Sequence, residues 1–134
     1  MVMSSIPALL VCIYEELMET KVVYSYMLQN APTEEARRLV EMNFNTTRNT
    51  IEALETLYKT IAGDIIPPCQ YAKNVPVFTD FMEAARYAFM TETQLIRKTK
   101  DLYCMIDPCY QCAVFGAIVE HQLNAMRLLY LDLF

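Results

Sequence analysis

The sequence of 134 residues predicts an all-α fold, a four-helix bundle with a long crossover between helices 2 and 3. Three observations support this prediction. Four stretches repeat apolar residues at the spacing of an α-helix. The chain has only 2 glycines and 6 prolines, too few for a turn-rich β fold. Short breaks join the helices into two hairpins, and one longer segment punctuated by prolines separates the hairpins.

The first hairpin has clear helix boundaries. Helix 1 is predicted at about residues 6–30, with Ser5 as its N-cap. After the break NAPTEE, Thr33 caps helix 2, which extends to about residue 62 and ends at Gly63. Each boundary therefore carries a residue type that favours a helix end.

The second hairpin follows a connection, DIIPPCQYAKNVPV at residues 64–77, that has no helical period. About a dozen extended residues at roughly 3.3 Å each span the length of a 25-residue helix, so this segment can cross the bundle from end to end. Helix 3 is predicted at about residues 78–105, and helix 4 from Pro108 to the C terminus. The whole chain, residues 1–134, is predicted to form one domain.

A glutamate, Glu92, lies at the centre of the apolar face of helix 3. Such a carboxylate has to be paired, bound to a metal or protonated, because burial of an isolated charge is costly. On helix 1, Glu16 is the better inward candidate and Glu19 lies further round. The predicted inward polar cluster comprises Glu16, Asn43, Thr47, Glu92 and Gln122.

The pattern V-E-x-x-(F/L)-N-x-x-R occurs twice, at residues 40–48 and 119–127. Placed at about 100° per residue, the Glu, Asn and Arg of both copies fall outside the inward faces, so the pattern is predicted to be mostly a solvated surface. The alternatives are a subunit contact or a helix register that turns the pattern inward. The predicted inward face of helix 4 is Phe115, Ile118, Val119, Gln122, Met126, Leu129 and Leu133.

Two segments resemble the rubrerythrin branch of the ferritin-like superfamily: ETKVVYSYMLQNAPTEEARRL at residues 19–39 and IEALETLYKTIAGDIIP at residues 51–67. The resemblance implies a ferritin-like bundle with a di-iron site, built from one Glu on each of helices 1 and 3 and an E-x-x-H motif on each of helices 2 and 4. Glu16 (or Glu19) and Glu92 match the two single glutamates.

Neither E-x-x-H motif is present. Helix 2 offers Asn43 and hydroxyl residues, and helix 4 offers Gln122, with the single His121 one position aside. If helices 2 and 4 are instead aligned by Arg48 and Arg127, the positions of the E-x-x-H motif are occupied by Met42 and Asn45 on helix 2. On helix 4 they are occupied by His121 and Asn124. Neutral amides and hydroxyls bind iron poorly, so we expect a hydrogen-bonded remnant without a cofactor. The alternative is a weak iron or manganese site formed from Glu16, Glu19, Glu92 and His121.

The cysteines allow a second kind of chemistry. Cys109 and Cys112 form C-x-x-C in the first turn of helix 4, where the helix dipole favours a thiolate, although ordinary thiols are expected here. Together with Cys104, these thiols could supply three ligands to zinc, and Cys69 on the crossover is the candidate for the fourth. The odd number of cysteines, 5, favours a cytoplasmic protein over a disulfide framework.

Three functions remain open from the sequence. The preferred one is a structural or interaction module, a homodimer and not an enzyme, with the apolar terminus LLYLDLF as partner surface. The alternatives are a metal-dependent oxidoreductase or peroxidase of the rubrerythrin type and a thiol redox protein. The net charge of −5 argues against nucleic acid, and the apolar run near the start is too short for a membrane span.

Overall fold

The computed structural model describes residues 5–68 and 75–131. The four helices in these ranges are α1 (Ile6–Gln29), α2 (Glu34–Ala62), α3 (Phe81–Met105) and α4 (Pro108–Tyr130). The all-α prediction is therefore confirmed. The start of α3 lies about three residues after its predicted position, because Asp80 is its N-cap and its side chain accepts the amide hydrogen of Glu83 at 2.8 Å. The predicted end of helix 4, at the C terminus, lies outside the described residues.

The helices form two antiparallel hairpins that pack side by side. Besides the hairpin contacts, α1 packs against α3 and α2 packs against α4, so that α2 and α3 lie diagonally across the bundle. Lys98 of α3 reaches Glu16, whereas Phe78 just before α3 accepts a hydrogen bond from Tyr26, so α3 runs antiparallel to α1.

The connection between α2 and α3 therefore runs along the bundle. Because α2 is also antiparallel to α1, α2 and α3 point in the same direction, and the chain has to return the full length of the bundle between them. Ile66 packs in the apolar cluster at one end, and Phe78 packs in the cluster at the other end. This confirms the crossover that the sequence predicts.

Two apolar clusters fill the bundle, one at each end, and every helix contributes to both. Between them lies a layer of buried polar side chains, which we call the polar layer. Its members are Thr20, Tyr24, Asn43, Thr47, Thr50, Glu92, His121, Asn124 and the half-buried Arg127. Among the described residues, no helix combines the length and apolar character that a bilayer crossing requires.

The predicted register of α4 is wrong. Its buried residues are Val114, Ile118, His121, Asn124 and Leu128, of which only Ile118 was expected. The side chains expected inside are largely exposed: Phe115 at 56%, Val119 at 38%, Met126 at 63% and Leu129 at 55%. Leu133 lies outside the described residues. The helix has two apolar faces, and it turns inward the one whose polar residues can hydrogen-bond to Glu92.

Candidate functional site

The polar layer is centred on the carboxyl group of Glu92, which is fully buried. Its Oε1 lies 2.7 Å from Nδ1 of His121. Its Oε2 accepts hydrogen bonds from the Tyr24 hydroxyl at 2.6 Å and from Nδ2 of Asn124 at 2.9 Å. Both carboxyl oxygens are therefore engaged, and through them α3 is joined to α1 and α4.

His121 is hydrogen-bonded at both ring nitrogens. Its Nε2 lies 2.8 Å from Oγ1 of Thr50, and the same hydroxyl donates to the carbonyl of Thr46 at 2.9 Å. A hydroxyl has one hydrogen, so Thr50 accepts and Nε2 of His121 donates. One further proton is then shared between Nδ1 and Glu92. With that proton on either side, the buried pair has no net charge, which lowers the cost of burying it.

Two asparagines close the layer between α2 and α4. Nδ2 of Asn43 donates to the Tyr24 hydroxyl at 3.2 Å and to the backbone carbonyl of Asn124 at 3.0 Å. Nη1 of Arg127 donates to the amide oxygens of Asn43 at 3.3 Å and Asn124 at 3.1 Å. Both amide oxygens therefore accept hydrogen bonds from the guanidinium. The amide nitrogen of Asn124 can then donate to Glu92, and that of Asn43 can donate to Tyr24.

The hydroxyl of Tyr24 is held in its neutral form. Burial, then the negative charge of Glu92 and the hydrogen bond to it, raise the pKa of Tyr24 well above its usual value of 10.0, while Asn43 and Arg127 act in the opposite direction. A neutral phenol is a donor to a carboxylate, whereas a phenolate would repel it. Tyr24 therefore remains a hydrogen-bond donor across the ordinary range of pH.

Every buried polar side-chain atom of the layer has a partner. Across the described part of the chain, no buried side-chain nitrogen or oxygen lacks a hydrogen bond. Thr47, for example, donates to the backbone carbonyl of Asn43 at 3.0 Å. The layer is therefore a closed hydrogen-bond network, in which no buried donor or acceptor is left over to hold a ligand.

The structure gathers three of the five residues of the predicted inward cluster. Glu92, Asn43 and Thr47 are buried in the polar layer as expected. Gln122 is exposed on the outer face of α4, so its inward placement is wrong. Glu16 is also misplaced, because its carboxylate pairs through Oε1 with Nζ of Lys98 at 2.6 Å on the flank of the bundle, and Thr20 of the layer contacts only its backbone carbonyl.

The four candidate metal ligands do not come together. Glu16 is paired with Lys98, and Glu19 accepts a hydrogen bond from the hydroxyl of Tyr87. Only Glu92 and His121 are in contact, and the groups around them are amides and hydroxyls. Among the residues described, no three His, Cys, Asp or Glu side chains lie close enough to hold a metal ion. This donor set does not fit a di-iron centre.

The repeated nine-residue pattern is not a duplicated site. In the first copy Glu41, Asn45 and Arg48 are exposed, as predicted, and so is Met42. In the second copy Glu120 is exposed, but Asn124 is buried and Arg127 is half-buried. The predicted outward position is therefore wrong for the second copy. A register that turns the pattern inward holds for α4 alone.

The thiols at the start of α4 are exposed. Cys12, Cys104, Cys109 and Cys112 are free, and Cys69 lies outside the described residues. The carboxylate of Asp107, the N-cap, interacts with Cys109, and this interaction raises the pKa of the Cys109 thiol. The negative cap thus opposes the helix dipole, so the start of the helix does not favour a thiolate.

A cleft of about 230 Å³ lies between α2 and α4, beside the polar layer. The small side chains of Ala53, Ala113 and Ala117 line it and make room for it. Thr50 and Thr99 also line it, but both hydroxyls donate to backbone carbonyls of their own helices. The cleft therefore presents an almost entirely apolar wall, and Thr50 is the member of the polar layer that reaches it.

No protein-family model matches this chain, and the comparisons with curated proteins and with solved structures likewise gave no match. The resemblance to the rubrerythrin branch therefore stays a prediction from the sequence, and the function has to be argued from the polar layer and the surface of the bundle.

Proposed function

We propose that this protein is a ferritin-like four-helix bundle that has lost most of its di-iron ligands and serves as a structural or interaction module. The observation that carries the proposal is the closed polar layer, in which Tyr24, Asn124 and His121 hydrogen-bond to both carboxyl oxygens of Glu92. A carboxylate whose two oxygens already accept strong hydrogen bonds is a poor ligand for a cation.

The layer has a structural role that needs no metal. A buried polar network that is fully satisfied fixes which residues of neighbouring helices face each other, because any other register leaves donors or acceptors unpaired. In this bundle it joins α1 to α3 through Tyr24 and α2 to α4 through Asn43 and His121. The layer therefore holds the two hairpins in one arrangement.

Metal analysis combined with a Glu92→Gln variant tests the proposal. We expect protein purified without chelator to contain no stoichiometric iron or manganese. Glu92→Gln should melt within a few degrees of the wild type, with or without added Fe(II) or Mn(II). In this variant the side-chain oxygen can still accept from Tyr24 and Asn124, and its amide can donate to Nδ1 of His121.

Glu41→Gln is the matched control, because Glu41 is exposed on the outer face of α2 and its exposed ion pair with Arg37 contributes little to stability. It removes the same charge from the surface and should leave the melting temperature unchanged. Near-stoichiometric metal in the wild type, together with a Glu92→Gln variant that loses both the metal and several degrees of stability, would refute the proposal.

That outcome would favour the metal-dependent oxidoreductase or peroxidase instead, for which the contact between Glu92 and His121 is the supporting observation. The thiol redox alternative has less support. The raised pKa of Cys109 means that less thiolate forms at neutral pH. Selective alkylation of Cys109 or Cys112 at pH 6 would support the thiol redox function.

We further propose that the protein acts in the cytoplasm as a homodimer and does not bind nucleic acid. The four exposed free thiols are typical of a reducing compartment. The net charge of −5 offers no basic surface for a phosphate backbone. Self-association is favoured by the apolar side chains that α4 leaves at the surface.

A further inference from the structure

The outer face of α4 has a regular, largely apolar stripe that is exposed at the surface of the bundle. Phe115, Val119, Gln122, Met126 and Leu129 follow one another at intervals of four, three, four and three residues, and all five are exposed. This is the spacing of the contact positions in a coiled coil. We call these five residues the α4 seam.

The seam is separate from the face that builds the monomer. Ile118, His121, Asn124 and Leu128 are buried and face the interior of the bundle, whereas the seam residues are exposed. Phe115 lies beside Tyr103 of α3, with ring centroids 6.3 Å apart, yet 56% of it remains exposed, so packing within the monomer does not account for the regular apolar spacing. Coiled-coil spacing on a free face indicates that a second helix packs there.

We propose that the seam is the homodimer interface, in which two copies pack α4 against α4 in antiparallel orientation around a two-fold axis at Gln122. This deepens the interaction role proposed above by naming its surface and geometry. The seam is nearly symmetric about its midpoint. An antiparallel pairing places Phe115 opposite the partner's Leu129 and Val119 opposite the partner's Met126, so each large apolar residue meets another.

The polar residue at the midpoint fits this arrangement. On the two-fold axis, Gln122 meets the partner's Gln122, and each amide can donate to the other and accept from it. A single polar residue within an apolar seam specifies register, because any shift buries the amide against apolar side chains. The symmetry of the seam thus favours a second copy of this chain over an unrelated helix.

Charge and area also favour a second copy. No seam residue is charged, so two molecules of net charge −5 can meet there without facing carboxylates. The seam is bordered by the exposed side chains of Leu123, Tyr130 and Met90. Together these side chains expose on the order of 600 Å² per copy, which approaches the roughly 800 Å² per partner of a standard interface.

The test is the association state of the full chain in analytical ultracentrifugation over a wide concentration range. We expect the wild type to be a dimer. Met126→Glu and Val119→Lys, each placing a charge in the seam, should weaken the dimer by on the order of tenfold to a hundredfold. Met42→Glu is the matched control, because Met42 is similarly exposed but lies on α2, and it should leave the dimer intact.

The double variant Val119→Lys with Met126→Glu tests the orientation. In the antiparallel pairing, position 119 of each copy faces position 126 of the other, so the new charges are opposite and the dimer should be restored. In a parallel pairing each new lysine would face the partner's lysine and each new glutamate the partner's glutamate, so the double variant would stay monomeric. A monomeric wild type, a dimer insensitive to the seam variants, or a double variant that stays monomeric would overturn the proposal.

Both substituted side chains are exposed in the monomer, and the helical circular dichroism of each variant reports whether its fold is intact. If one of them fails to fold, Gln122→Glu provides the same test, since it places two carboxylates together on the axis and should weaken the dimer at pH 7. Metal content measured on the same preparations keeps the two proposals apart. Bound metal would refute the loss of the di-iron site, whatever the association state.

Discussion

Glu92 and His121 form a buried pair whose stability depends on donors from Tyr24 and Asn124 and on an acceptor from Thr50. Removing one member of such a network leaves its partners buried and unsatisfied, which costs more than the hydrogen bond itself contributed. The effect of a substitution at Glu92 therefore depends on which atoms the new side chain offers to Tyr24, Asn124 and His121, rather than on the loss of charge alone.

The first prediction compares two substitutions of similar volume at Glu92. Glu92→Gln keeps an acceptor and a donor in place, and should change the free energy of unfolding by less than about 1 kcal/mol. Glu92→Leu leaves Tyr24, Asn124 and His121 without their partner, and should cost about 3–5 kcal/mol. Denaturant unfolding at pH 7 measures both. Equal destabilisation by the two variants would mean that the carboxylate charge itself is required.

The second prediction concerns alkaline pH. The folded state raises the pKa of Tyr24 well above 10.0 and that of Tyr87 to about 12, so above pH 10 the unfolded chain releases protons that the native protein keeps. The stabilisation is thus complete below pH 10 and is lost as the pH rises beyond it. Tyr24→Phe should lower stability at pH 7 by about 1–3 kcal/mol and flatten its decline above pH 10.

Urea unfolding of the wild type and Tyr24→Phe at a series of pH values from 7 to 12 gives both quantities. Tyr26→Phe is the control, because Tyr26 bonds only to a backbone carbonyl near the end of the bundle and is no part of the layer. If Tyr24→Phe and the wild type lose stability in parallel above pH 10, the hydroxyl of Tyr24 is not the group responsible.

The sequence was enough to predict Glu92, Asn43 and Thr47 in the layer, because each lies among apolar residues at helical spacing within its own helix. It was not enough for Glu16, whose position is decided by Lys98 on a neighbouring helix. The donors Tyr24, Asn124 and Arg127 were missed for a related reason. Their role appears only when the requirement of Glu92 for partners is combined with the rotation of α4.

At the scale of the helices, α4 shows why an apolar pattern can mislead. Its seam has the more regular apolar spacing, and by that criterion it was predicted to face inward. The bundle instead buries the face with His121 and Asn124, which together supply two partners to Glu92, whereas an inward seam would offer only the amide of Gln122. Apolar periodicity finds a contact face, but it does not distinguish a core from an interface between molecules.

The third prediction compares the only two glycines of the chain. Gly63 ends α2 with a φ of +78°, so Gly63→Ala forces a side chain into the left-handed region and should destabilise by about 1 kcal/mol. Gly116 lies inside α4, and a methyl group added there meets nothing within 4 Å. Gly116→Ala should therefore stabilise by about 0.5–1 kcal/mol. Thermal melts of the two variants check the opposite signs.

At the scale of the whole molecule, the crossover decides which helices are neighbours. Its length and its lack of helical period could be predicted from the sequence, whereas the diagonal placement of α2 and α3 is seen only in the structure. The polar layer divides the interior into two apolar clusters, and each of the four helices runs through both. We therefore expect the two clusters to unfold together, because neither can lose its packing without disturbing all four helices.

The last prediction tests whether the two clusters unfold together and uses one leucine from each cluster. Leu10 packs in the cluster next to the start of α1, and Leu128 packs in the cluster at the far end. Leu10→Ala and Leu128→Ala should each cost about 2–5 kcal/mol, and each should lower a single transition. Helical circular dichroism and the near-ultraviolet tyrosine signal should give the same midpoint in both variants. Separate midpoints in either variant would mean that the polar layer insulates the clusters, so that one end of the bundle unfolds while the other persists.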